Sequence, residues 1–235
     1  TATIQMLTLA NGYTPYSGGG IFNFGTLTVN NITLNGNSAN VGGGIVNASS
    51  GILTVTNAVF NGNSADMGGA IDGWGTMTVT NSTFSGNSAD RYGGGILNWG
   101  TMTITNSTFS GNQADETGGG ILNSGTLTVT NSTLYGNSAV IGGGVYSQSI
   151  LNLNNSILAH SASGGECSRG SGTITARYSL IEDGLGCVNG TNSNNLTGDP
   201  ALNADLTLAP GSRAVNQGAN TLAVDAGGNP LTIDR

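Results

Sequence analysis

Apolar and polar residues alternate along this chain in short runs, and the runs restart at a nearly fixed interval. In Thr101-Met102-Thr103-Ile104-Thr105 every second residue is apolar, the mark of a strand with one buried face. The equivalent apolar pairs are Leu27/Val29, Leu53/Val55, Met77/Val79, Leu127/Val129 and Leu151/Leu153. A second short strand is predicted at a glycine-led segment that supplies Ile21, Ile45, Ile71, Ile96, Ile121 and Val145. A third supplies Leu34, Phe60, Phe84, Phe109, Leu134 and Leu158. The copies begin at Gly18, Gly42, Gly68, Gly93 and Gly118, with a degraded copy at Gly142, in steps of 24, 26, 25, 25 and 24 residues. A fixed period of this size means a stacked array in which each unit buries its apolar face on its neighbours.

Three short strands per repeat of about 25 residues, without two-residue hairpin turns between them, predict a parallel coil with one turn per repeat. Like residues then stack in columns about 4.8 Å apart. Asn31, Asn57, Asn81, Asn106, Asn131 and Asn155 fall in one such column, and Asn37, Asn63, Asn87, Asn112 and Asn137 in another. Asparagine at a bend bonds the backbone and its stacked neighbour, so these are read as structural ladders. The sequons such as Asn81-Ser82-Thr83 are by-products of that ladder. Thr1-Ala2-Thr3-Ile4-Gln5 aligns with Thr26-Leu27-Thr28-Val29-Asn30, so the chain enters already inside the pattern and reads as a mature or excised fragment. Such an uncapped strand edge suggests stacking on another copy or continuation of a longer chain. Beyond Ser161 the repeat weakens, with one further coil at Gly172–Arg177. The whole chain is read as one β-helix domain of eight to nine coils: regular repeats over 1–160, an irregular coil with a cysteine loop over 161–198, and a capping or tail segment over 199–235.

Composition narrows the class. Gly is 41 of 235 residues while apolar residues reach 37%, so glycine punctuates buried strands and is not linker. Charged residues are 7%, lysine is absent, and the net charge of −7 argues against nucleic acid or an anionic membrane as partner. No apolar run is long enough for a transmembrane helix. Cys167 and Cys187 are expected to form a disulfide that staples the irregular loop, which places the chain in an oxidising, extracytoplasmic compartment.

Paired motifs then bring in a resemblance. Gly68-Gly69-Ala70-Ile71 matches a GGA motif followed by Ile, Leu or Val, and Phe60–Asn63, Phe84–Asn87 and Phe109–Asn112 match FxxN. In these residues the chain resembles bacterial secreted parallel β-helix proteins of the polymorphic outer membrane protein type, over about residues 18–160. Asp199-Pro200, Pro210-Gly211-Ser212 and Val224-Asp225-Ala226-Gly227 are similar to the C-terminal part of secreted, surface-anchored β-helix proteins. The resemblance implies a right-handed parallel β-helix, export, and often adhesion.

Function must be sought on outward faces. Opposite the buried pairs lie Thr26/Thr28, Thr54/Thr56, Thr76/Thr78/Thr80, Thr101/Thr103/Thr105 and Thr126/Thr128/Thr130, an uncharged grid interrupted by Asn30, Ile52, Ile150 and Asn152. Such a grid can order water, as the TxT surfaces of ice-binding solenoids do, or serve as a solvated strand face. Asp66, Asp90 and Asp115 share one register, with Glu116 beside the last; stacked carboxylates raise one another's pKa or recruit a cation, calcium being the candidate, or they stand splayed and separately hydrated at the turn, as Asn40 and Val140 in the same register of flanking coils favour. Phe24, Trp74 and Trp99 precede equivalent glycines; an exposed Trp pair can stack a sugar ring or a protein partner, or the rings pack across the turn. Asp72 replaces an otherwise apolar position and, with Asp66, is the one candidate acid pair; His160 has no expected catalytic partner. The reading that follows is a secreted, non-enzymatic surface or structural β-helix, adhesin-like or assembling end to end. Its partners would be its own copies or a surface or glycan ligand, and no cofactor is required. Ice binding through the TxT face and a carbohydrate-active lyase or hydrolase are the alternatives.

Overall fold

The computed structural model describes residues 1–215 and 217. Its strands wind into a parallel β-solenoid, and every strand-to-strand ladder in it is parallel. The glycine-led segments, from Ile21–Asn23 to Cys167–Arg169, form a seven-stranded sheet, so about seven full turns are stacked. That is slightly fewer than the repeat count suggests. The first and last coils lack strands in this sheet and close only part of a turn. The threonine strands and the aromatic strands share a fifteen-stranded sheet, because Thr26–Asn35 runs unbroken through the bend at Asn31 and pairs with both Ile52–Thr56 and Val59–Asn61. The first strand pairs as the alignment requires, with Ala2 beside Leu27 and Ile4 beside Val29. Thr173–Arg177 adds the coil expected after the regular repeats by pairing with Ile150–Asn154.

Each coil also carries a fourth short segment. Ser38–Val41, Ser64–Met67, Ser88–Tyr92 and Gln113–Ala114 join Tyr13–Ser17 in a five-stranded sheet. Its buried residues are small, Ala39, Ala65, Ala89 and Ala114, and the last two cluster with Ala139 of the next coil. The main core is a set of stacks along the axis. Phe60, Phe84 and Phe109 lie face to face with centroids 4.5 Å apart and ring planes within a few degrees of parallel. Because the residues are in register from coil to coil, a single packing solution repeats down the rod.

Hydrogen-bond ladders hold the corners. Asn37, Asn63, Asn87, Asn112 and Asn137 are fully buried. In each step the backbone N–H and the side-chain amide of one asparagine donate to the Oδ1 of the next, as from Asn87 to Asn112 at 3.1 and 2.9 Å. The outer column, Asn31 to Asn155, holds the left-handed backbone at φ of 48–52°, which asparagine tolerates better than other side-chain-bearing residues. A serine ladder lies beside it. The N–H of Ser82, Ser107 and Ser132 each donates to the hydroxyl of the serine one coil on, at 3.1–3.2 Å. In the sequon Asn81-Ser82-Thr83 the serine is therefore a buried ladder element. Close stacking also explains the middle glycine of the GGG run: a Cβ on Gly94 would collide with the carbonyl oxygen of Gln113.

Cys167 and Cys187 are joined in a disulfide, with Cα atoms 5.9 Å apart. Val224-Asp225-Ala226-Gly227 and most of the predicted tail lie outside the described residues. Among the described residues no helix is long and apolar enough to cross a membrane.

Candidate functional site

The outer face of the glycine-led sheet departs most from the regular pattern. Its inward residues, such as Ile71 and Ile96, point into the core, and the middle residues between them point outward. These outward positions are Phe22, Val46, Asp72, Leu97, Leu122 and Tyr146, paired in one register across the sheet. Val46, Asp72, Leu97 and Leu122 are nonetheless buried. The left-handed glycine before each strand brings the chain across them: at Gly68 (φ +66°) a Cβ would lie 2.9 Å from the Asp72 Cβ. The column is thus the base of a groove rather than an open surface.

Asp72 sits in that base with 1% of its surface exposed. Its Oδ2 accepts the indole N–H of Trp74 at 2.7 Å, while Oδ1 has no hydrogen-bond partner. Burial pushes its carboxyl up to about 6, and the indoles of Trp74 and, more loosely, Trp99 pull the other way. The two indoles stack, centroids 5.0 Å apart and planes 20° from parallel. Trp74 and Trp99 remain 49% and 39% exposed, so they form a half-open aromatic shelf over a buried carboxylate. Phe22 and Phe24 stack in the same way further along the face.

The coil holding Asp72 reads Ile71-Asp72-Gly73 where its neighbours read Ile-Leu-Asn or Ile-Val-Asn. Elsewhere the asparagine there forms a ladder, as when the Asn98 amide donates to Asn123 Oδ1 at 2.8 Å. Gly73 has no amide to donate, and Asn98 Oδ1 is left without a partner. The space of the missing side chain is filled by the Met77 methyl. Both orphaned buried side-chain polar atoms among the described residues therefore originate at this one irregular coil.

Next to the shelf a pocket of about 310 Å³ opens. Leu97 and Leu122 form its apolar base. Tyr92, Glu116 and Thr117, from the segment before the glycine run, line one side; Trp99, Ser124 and Gln148, from the turn after the strand, line another, with Tyr146 completing it. The neighbouring Glu116 carboxylate pushes the Tyr92 hydroxyl up from its ordinary value.

The other candidate residues are placed differently. Thr80, Thr105 and Thr130 are buried at the ends of their strands, Thr80 paired with Thr56 and Thr105, and Thr130 with Thr105 and Asn154. Thr26, Thr76, Thr101 and Thr103 are exposed; Thr28, Thr78, Thr126 and Thr128 are half-buried. Thr28, Thr54, Thr78, Thr103 and Thr128 do stack in one register.

Asp66, Asp90 and Asp115 do not gather as ligands. A bulge between Ala89 and Tyr92 inserts Arg91, whose guanidinium grips Asp66 through Nε at 2.8 Å and a second nitrogen at 2.5 Å. That bond holds the Asp66 carboxyl below its ordinary range, the opposite of the rise expected from stacked carboxylates. Asp66 is likewise not paired with Asp72, whose partner is Trp74.

His160 has the acidic partners that the repeat pattern does not reveal. Its Nδ1 lies 3.0 Å from Glu182 Oε2 and its Nε2 3.5 Å from Asp199 Oδ1. These three side chains are the group among the described residues whose donor atoms come within 4.8 Å of one another. The backbone accounts for the arrangement. His160 takes the left-handed position of Gly136, and its N–H donates to Glu182 Oε2 at 2.6 Å where Gly136 donates to the carbonyl of Ala159. Glu166, also buried, likewise accepts the N–H and hydroxyl, both at 2.7 Å, of Ser161, the residue that stands where regular coils carry the inner asparagine. Burial pushes the Glu166 carboxyl up against those bonds. Both carboxylates act as side-chain caps where the ladders stop.

Comparison with known proteins agrees with the architecture. Residues 81–98 and 106–124 match the model described as the Chlamydia polymorphic membrane protein (Chlamydia_PMP) repeat. Each matched stretch runs from the outer asparagine through the phenylalanine strand to the glycine-led strand of one coil. No curated protein matches the chain. No solved structure matches it either.

Proposed function

We propose that this chain is an adhesin-like surface module, a non-enzymatic β-solenoid that holds a ligand against its side. The observation that carries this reading is the half-exposed Trp74–Trp99 shelf beside a pocket on an otherwise regular rod. Phe60, Phe84 and Phe109 are buried in the core, whereas Trp74 and Trp99, like Phe22 and Phe24 further along the same face, stack while partly exposed to water, the pattern of a contact surface. The repeat match, and a disulfide of the kind that oxidising compartments favour, support a location at the cell surface or outside the cell. The carboxylates near His160 are engaged as backbone caps, which gives them a role without catalysis. The test is attachment: beads coated with the folded chain should adhere to glycan-bearing cell surfaces, and beads coated with a Trp74→Ala/Trp99→Ala variant should not.

A second reading rests on the threonine face. Thr28, Thr54, Thr78, Thr103 and Thr128 stack in register, the lattice an ice-binding surface requires, although Ile52 and Ile150 interrupt the column beside it. Ice-crystal shaping that is lost on Thr103→Tyr would establish it in place of adhesion.

A further inference from the structure

The pocket beside the shelf says what kind of ligand the surface takes. Its rings come from Tyr92, Trp99 and Tyr146, while Leu97 and Leu122 lie buried beneath them, so the aromatic rings are the apolar contact for a flat, ring-shaped occupant. At about 310 Å³ it is a half-open depression at the small end of the range of small-molecule sites, about 300–1,000 Å³. Glu116 supplies acceptors, and Ser124 and Gln148 supply both donors and acceptors, at the rim. No cationic side chain lines it, and the neighbouring Arg91 is already committed to Asp66. Arg91 lies over the Tyr92 ring, 5.3 Å from its centroid, but its guanidinium is held by Asp66, so the charge that lines the pocket itself is the negative Glu116, which disfavours an anionic ligand.

The second observation lies in the adjoining coil. Asp72 is buried with one oxygen bonded to the Trp74 indole and the other unpartnered, and Asn98, directly before Trp99, is buried with its carbonyl oxygen unpartnered. Among the described residues these are the two buried side-chain polar atoms without a hydrogen-bond partner, and both lie at the shelf, which is where binding sites concentrate such departures.

We propose that the pocket bounded by Tyr92, Trp99 and Tyr146 binds a neutral pyranose ring of a glycan, stacked on the Trp99 indole with Glu116 accepting its hydroxyls. Asp72 is then a positioning residue, which fixes Trp74 and through it the orientation of Trp99. This rests on the adhesin-like reading and names its ligand class.

The chain contains two tryptophans, and both belong to the shelf, so tryptophan emission reports on this place alone. Purified protein would be titrated with cellohexaose, chitohexaose and a galactan oligomer, and with trigalacturonate as the anionic control, by tryptophan fluorescence and calorimetry. A saturable change with at least one neutral oligomer, roughly tenfold or more weaker in Trp99→Ala and in Tyr146→Ala, is the expected result. Asp72→Asn, which keeps an acceptor for the Trp74 N–H, should bind like the parent, and Asp72→Ala should bind more weakly with a shifted emission maximum. Circular dichroism would establish that each variant keeps the fold. Absence of binding by all three neutral oligomers, or equal binding of trigalacturonate, would overturn the proposal. Beads that adhere while the pocket binds no neutral sugar would sink this inference alone. A sugar-binding pocket on beads that do not adhere would sink the adhesin-like reading alone.

Discussion

Asn63 stands directly over Asn87 in the stack: its backbone N–H and its side-chain amide both donate to the single Oδ1 of Asn87, at 3.0 and 2.9 Å. Asn87 repeats the same grip on Asn112, and its amide also reaches back to the carbonyl of Phe60. Replacing Asn87 by alanine strands two donors of Asn63 in the interior and removes the bond to Phe60. A loss of about 3–5 kcal/mol is expected by chemical denaturation. Asn61→Ala, at an exposed position, is the comparison and should change stability by less than about 0.5 kcal/mol.

The phenylalanine stack gives an independent stability test. Phe84 is buried between Phe60 and Phe109, and truncating it to alanine opens a cavity that coils in register cannot easily collapse. The expected cost is about 3–5 kcal/mol in urea unfolding. Phe84→Leu should cost much less, because Leu34 and Leu134 already serve the same column in other coils.

Asp72 should give the chain a pH signature. Its carboxyl is raised from 3.8 to about 6 in the fold, so between those values the folded state holds a proton that the unfolded chain has released. The resulting stabilisation is complete below the unfolded value and is lost as pH rises through about 6. Asp72→Asn removes this dependence. The variant should gain up to about 2–3 kcal/mol over the parent at pH 7.5, and the difference should shrink on acidification toward pH 4. Thermal melts of both proteins across that window check it; a difference that does not vary with pH would contradict the buried, poorly partnered carboxylate.

Reducing the Cys167–Cys187 bond should act locally. Closing a loop of 20 residues restrains the unfolded chain by about 3 kcal/mol. Because the coils are stacked in a line, the effect belongs to the last coils and not to the rod as a whole. Limited proteolysis of Cys187→Ser should cut first between 161 and 198 and leave the regular repeats intact.

Much of this was legible in the residues because a solenoid writes its contacts at a fixed step. The buried pairs such as Met77/Val79, the asparagine ladder and the alignment of Thr3 with Thr28 all follow from counting. The fourth strand was harder to see, since its inward residue is a lone alanine such as Ala89 with no alternation around it. The serine ladder lay hidden inside the sequons. Burial of Thr80, Thr105 and Thr130 escaped strand alternation because the strand ends there in the left-handed bend at the next asparagine. Arg91 reaches Asp66 only through a bulge, and His160 meets Glu182 and Asp199 in the stretch where the period fails. In both cases no spacing rule applies. The aromatic shelf was visible as Trp74 and Trp99 in one register, but the pocket beside it needed the chain crossing at the glycines.

The most direct test of the account is attachment through that face. Beads carrying the wild-type chain, the Trp74→Ala/Trp99→Ala variant, and a Thr103→Tyr variant would be compared on the same glycan-bearing cell surface under flow. The account predicts that the wild type and Thr103→Tyr hold equally well and that the double tryptophan variant washes off. Equal retention of all three, or of none, would contradict the claim that this solenoid works by holding a ligand on its aromatic side.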